Sequence, residues 1–175
     1  MTLQPVMPKK PENIRKIILH CTASGKDVHQ TVDSIRRVHT RPISEDGNGW
    51  PYVGYHYVVY LDGSIHFGCD ENKRGYHVGN YNHDSIGISY VGGQNVSGPK
   101  GKGMDTRTKE QKITLINIVE ALLDRYPNAT VHGHKEFTRL KECPSFEVRL
   151  EFGQYNKGKI PDMRRSGEYS SNNAF

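Results

Sequence analysis

The chain has 175 residues, about one domain's worth. Its 34% hydrophobic and 25% charged residues, with 18 Gly and 9 Pro, exclude a coiled coil and a disordered tail and describe a turn-rich soluble protein. A formal charge of +5, from 24 basic and 19 acidic residues, suits an anionic partner such as nucleic acid or an acidic wall polymer without choosing between them. No window approaches the roughly 20 apolar residues of a membrane span. The N-terminal MTLQPVMPKKPENIRK lacks the apolar stretch of a secretory signal, so the product is expected to be cytoplasmic on synthesis. The three cysteines, Cys21, Cys69 and Cys143, are too few and too odd for a disulfide scaffold and fit a reducing compartment.

Residues 1–12 read as an extended arm, because Pro5, Pro8 and Pro11 remove donors and bias their predecessors away from helix. The run 14–21, with Ile17, Ile18 and Leu19, predicts a short buried strand ending near His20. Val32, Ile35 and Val38 stand at helical spacing in 31–40, and 41–52, with two Pro and two Gly, reads as a loop. Residues 53–68 are β-branched and aromatic on both sides of Asp62-Gly63, which predicts a tight hairpin with positive φ at both positions. Ile86, Ile88 and Tyr90 alternate with Gly87 and Ser89, another strand, and 96–105 is flexible by composition.

Thr108 and Gln111 have capping-box spacing, and Ile113, Ile116, Val119, Leu122, Leu123 and Tyr126 are predicted to form the buried stripe of a helix stopped by Pro127. A strand over 129–134 and a helix over 145–153, closed by Gly153, complete the pattern. From 154 the composition predicts a frayed tail. The expected fold is a single α/β domain, residues 13–153, with a central mixed β-sheet flanked by helices.

His20 and His134 each close a predicted strand, and Cys143 follows His134 by nine residues. Three N/S ligands on rigid elements, with a fourth position left to water, are the pattern of a catalytic zinc site. His132 competes with His134, since residues two apart on a strand share a face. Spacing alone leaves that choice open. Cys21, beside His20, is expected to point the opposite way as a buried free thiol. Cys69, in a turn, reads as inert.

Four ordered blocks carry a resemblance: IILHCTAS (17–24), VGYHYVVYLDGSIHFG (53–68), GYHVGNYNHDSIGISYVGG (75–93) and GHKEFTRLKECPSFE (133–147). Together they resemble the zinc-dependent N-acetylmuramoyl-L-alanine amidases, in particular the amidase-type phage lysozymes, which share a fold with peptidoglycan recognition proteins. The resemblance implies one zinc ion per chain on His20, His134 and Cys143, with His134 chosen over His132 by its Gly-His-x-Glu block. It implies Tyr55 and Lys141 as catalytic residues, and His77 and Asn82 as lining the substrate groove. One departure is Leu140 directly before Lys141, where relatives carry a Pro shortly before the lysine in a loop that looks one residue shorter.

The implied reaction is hydrolysis of the amide between N-acetylmuramic acid and the L-alanine of the stem peptide. Peptidoglycan is then the partner, and the biological role is a phage-type lysis enzyme reaching the wall after release. The alternatives are a recycling amidase acting on wall fragments in the cytoplasm and a non-catalytic wall binder. Trp50 and Tyr52 offer flat faces for a sugar or peptide, or a packing clamp. The basic residues are scattered, so no specific nucleic-acid binding is expected. An RNA polymerase partner is suggested by analogy with a phage lysozyme alone, and a monomer is the default.

Overall fold

The computed structural model describes residues 13–96, 101–159 and 161. The predicted arm, part of the 96–105 loop and the far end of the tail therefore lie outside the described residues. Five strands form one sheet in the order β4-β3-β5-β1-β7. They are β1 (Lys16–Cys21), β3 (Tyr57–Val59), β4 (Ile65–Phe67), β5 (Ser85–Tyr90) and β7 (Thr130–Gly133). All neighbours pair in parallel except β3 with β4, so the sheet is mixed. A two-residue pair, β2 (Ser24–Gly25) and β6 (Gly93–Gln94), extends past the ends of β1 and β5.

The two long crossovers leave the central strands in opposite directions. The β1-to-β3 connection carries α1 (Val32–Thr40), and the β5-to-β7 connection carries α2 (Lys109–Arg125). α1 packs Val32 and Ile35 on Val58 and Val91. On the other face α2 and α3 (Val148–Phe152) bury Leu115, Val119, Leu122, Val148 and Phe152 against Ile17, Leu19, Ile86 and Ile88. Where adjacent parallel strands send their connections to opposite sides, a crevice opens at the carboxyl ends of the strands. His20 lies at that end of β1.

Both helices start as their sequences require. Thr31 and Thr108 accept from the N3 backbone N–H groups, and Ser34 and Gln111 reach back to the cap residues, which satisfies donors the first turn leaves orphaned.

The structure corrects four expectations. The buried stripe of α2 is Gln111, Leu115, Ile118, Val119 and Leu122, continued by Tyr126, while Ile113 and Ile116 face solvent. The phase is set by Gln111, whose Nε2 donates to Val59 O and Val91 O and so docks the helix N-terminus on the sheet. In α1, Val38 is exposed and His39 takes the buried position, because 32, 35 and 39 complete the i, i+3, i+7 face.

The hairpin turn is also longer than two residues. Tyr60 N–H donates to Ser64 O, Gly63 N–H donates to Tyr60 O, and of Asp62 and Gly63 only the glycine has positive φ, at 83°. Gly153 does not stop α3: its φ is −60° and the chain runs on into a 3-10 turn, Gly153–Asn156. Asn156 then bonds both the N–H and the carbonyl of Val131 through its side chain. That contact covers the outer edge of β7.

Candidate metal centre

His20, His134 and Cys143 come together at the carboxyl end of the sheet. One ligand atom from each lies within 4.8 Å of the others. His20 is delivered by β1, an interior strand flanked by β5 and β7 and buried along its length. His134 is the first residue of a 3-10 turn after β7. The strand ends at Gly133, so the two-residue alternation does not carry from His132 to His134. His132 is engaged elsewhere, with Nδ1 at 3.0 Å from Glu136 Oε2 and Nε2 at 2.8 Å from Thr130 Oγ1. A Cβ on Gly133 would sit 2.9 Å from both Pro144 and Val148, so the absence of a side chain there lets the Cys143-Pro144 segment close against β7.

Backbone contacts fix the cysteine. Lys135 N–H donates to Cys143 O at 2.8 Å, and Cys21 N–H donates to Cys143 Sγ at 3.2 Å. Cys143 Sγ also lies 3.7 Å from His20 Nδ1. Cys21 is free, buried and packed into the α2-side core, and Cys69 is likewise buried.

Electrostatics keeps both histidines neutral. Burial, then the neighbouring His134 and His56, holds the His20 imidazole well below its ordinary value. Burial, followed by the charge of Lys141, brings His134 down to about 4. Neutral imidazole is the form that ligates a metal. Burial pushes the Cys143 thiol up, and Lys141 acts against that rise. Lys141 itself is exposed, so a solvated ammonium stands within electrostatic reach of two members of the group. Leu140 beside it is 84% exposed.

Tyr55 is half-buried, its ring centroid 5.3 Å from that of His20. Burial, then the Cys143 and Cys21 thiols, pushes its phenol upward, so its hydroxyl keeps a proton to donate. An aromatic wall continues from it. His39 packs on Tyr55 and Trp50, Trp50 stacks on Tyr76 at 5.7 Å and 21°, and Tyr52 meets Tyr76 edge-on. Trp50 and Tyr52 are thus held by packing while still partly exposed.

His77 and Asn82 lie beneath this surface rather than on it, 6% and 3% exposed. Asn82 Oδ1 accepts from the backbone N–H groups of both His77 and Val78. The described part of the 96–105 loop is tethered: Gly103 N–H donates to Glu142, next to Lys141, and Gln94 pairs with Gly103.

Sequence reasoning missed His39 and His56. His39 Nδ1 accepts from Gly54 N–H, one residue before Tyr55, and its helical spacing was the available signal. His56 is fully buried, its Nδ1 accepting from Gly87 N–H. Nothing in a strand-like run marks such a residue.

Comparisons with known proteins bear on the family and the fold. The sequence profile of the N-acetylmuramoyl-L-alanine amidase family matches residues 10–146. The chain is 35% identical over 141 residues to the endolysin of Escherichia phage T7, covering 81% of this chain and 87% of that one. Among solved structures, the Ph2119 endolysin from a Thermus scotoductus bacteriophage superposes with a TM-score of 0.62 at 27% identity, over 86% of this chain and 88% of that one. Bumblebee PGRP-SA shares the fold, with a TM-score of 0.68 at 18% identity over 92% of each chain. The chain belongs to the N-acetylmuramoyl-L-alanine amidase family.

Proposed function

We infer that the chain is a zinc-dependent lysis amidase that hydrolyses the bond between the lactyl group of N-acetylmuramic acid and the L-alanine of the stem peptide. The observation that carries this reading is the convergence of His20, His134 and Cys143 at the end of a buried sheet, in a chain of the amidase family. Its similarity to phage endolysins supports the lysis role.

The donor set fits zinc. Tetrahedral coordination by nitrogen and sulfur sets ligand atoms roughly 3.5 Å apart, and Cys143 Sγ lies 3.7 Å from His20 Nδ1. Among the described residues the group contains three ligands, which leaves a coordination position for water or substrate, as catalytic zinc sites do. Zinc, when bound, supplies Lewis acidity that acidifies water and polarises a carbonyl.

The remaining work falls to side chains of this chain. Amide hydrolysis passes through a tetrahedral intermediate whose oxyanion needs positive charge or hydrogen-bond donors. We assign the charge to Lys141, whose charge is felt at His134, and a proton-bearing hydroxyl to Tyr55, whose ring lies 5.3 Å from that of His20. The half-exposed wall of Trp50, Tyr52 and Tyr76 is suited to a sugar ring or a stem peptide laid beside the site.

The test is mass spectrometry of purified peptidoglycan digested by the protein. Release of stem peptides with a free L-alanine amino terminus, leaving intact glycan strands, is the expected result. New reducing ends, or cleavage confined to peptide cross-links, would contradict the reading, and retention on the wall without cleavage would favour a binder.

A further inference from the structure

Beneath His20 a directed chain of hydrogen bonds runs away from the site. His20 Nε2 lies 2.9 Å from His77 Nδ1, with the two rings perpendicular at 89°. His77 Nε2 lies 3.4 Å from Ser85 Oγ, and Ser85 Oγ–H donates to Tyr81 O at 2.8 Å. The last contact sets the direction. A hydroxyl has one proton, and Ser85 gives its proton to the Tyr81 carbonyl, so it offers His77 a lone pair. His77 then carries its proton on Nε2 and accepts at Nδ1, since a neutral imidazole has one donor and one acceptor. His20 must therefore donate from Nε2, which leaves its Nδ1 bare and facing Cys143 Sγ at 3.7 Å.

The fold makes room for this ring and for little else. A Cβ on Gly87 would stand 2.6 Å from His77 Cγ, and one on Gly75 would stand 2.5 Å from its Cδ2. His56 packs edge-on against the same ring, and Asn82 holds the main chain of His77 and Val78 through two 2.9 Å hydrogen bonds.

We propose that His77 is a positioning residue: with Ser85 it locks the tautomer and orientation of His20, so that Nδ1 is presented to the metal. This assigns His77 a place under the ligand instead of on the groove wall, and it rests on the reading of His20, His134 and Cys143 as the zinc site. A partner that orients a ligating histidine typically governs metal affinity by 10- to 100-fold.

The experiment uses the full chain and three variants, His77→Leu, His77→Asn and Ser85→Ala. Two readouts do not depend on turnover: long-range nitrogen–proton NMR of the imidazoles in the metal-free protein, and zinc affinity by competition with a chromophoric chelator. The wild type should show His20 as a single Nε2–H tautomer. His77→Leu should mix the tautomers and weaken zinc binding by about 10- to 100-fold, and Ser85→Ala should move both readouts in the same direction by less.

His77→Asn, whose Oδ1 can accept where Nδ1 did, should restore most of the affinity. An unchanged tautomer and zinc affinity in folded His77→Leu would overturn the proposal, and a raised KM alone would return His77 to the groove. If the leucine variant does not fold, unchanged readouts in Ser85→Ala overturn it equally. Failure of the wild type to bind zinc would instead overturn the metal reading itself.

Discussion

The two faces of the central sheet are both buried but chemically unlike. Toward α2, β1 and β5 present Ile17, Leu19 and Cys21 with Ile86, Ile88 and Tyr90. Toward the site the same strands present Lys16, Ile18 and His20 with Ser85, Gly87 and Ser89. Every one of these residues is buried. The apolar face holds through area removed from water, a force without direction. The other face keeps polar groups dry, which is stable only where they are paired. Lys16 meets Asp84 at 2.6 Å, and His20, His77 and Ser85 bond in series. The candidate site thus lies on a side of the sheet where hydrogen bonds specify orientation, while the opposite side supplies stability.

Substitutions should separate the two faces, and the largest effect belongs to the site. Cys143→Ala should lose bound zinc and essentially all wall cleavage, while circular dichroism and melting stay close to those of metal-free wild type. Retained zinc would break the assignment. Lys141→Ala should keep zinc and lose about 10²- to 10³-fold in kcat, the scale of one removed oxyanion stabiliser. Zinc content measured alongside steady-state kinetics checks it, and full activity would remove Lys141 from the mechanism.

A pH effect comes next in size. Burial brings the imidazoles of His39 and His134 down to about 4, whereas in the unfolded chain they titrate near 6.5. Between those values the unfolded state binds more protons, so stability is fully present above about 6.5 and lost as the pH falls toward 4. Chelator-treated protein should melt several degrees lower at pH 5 than at pH 7, and His39→Asn should reduce that difference. On the apolar face, Ile88→Val should cost about 0.5–1.5 kcal/mol in denaturant unfolding and leave zinc affinity unchanged. A shifted zinc affinity would mean that the faces are coupled through the strands.

Much of the candidate site was legible in the sequence because ligand types and ordered motifs survive without coordinates. His20, His134 and Cys143 stand at strand ends and a loop that their neighbours already marked. What could not be read is how buried polar residues choose their partners. The alternation of Ser85, Gly87 and Ser89 with isoleucines looks like a strand with one wet face, yet that face is dry and carries the histidines. Gln111 looked like a cap only, and its two hydrogen bonds to β-strand carbonyls turned α2 so that Ile113 and Ile116 face outward. Asn156 read as tail and is an edge cap for β7. For Gln111 and Asn156 a side-chain amide satisfies backbone groups distant in sequence, which a hydrophobic pattern does not register.

The most direct measurement of the central claim is metal content and stem-peptide release on one purified sample, before and after chelation and after zinc is restored. About one zinc per chain, with cleavage lost on chelation and regained with zinc, is the predicted result. Cleavage that persists in protein stripped of metal would contradict the account.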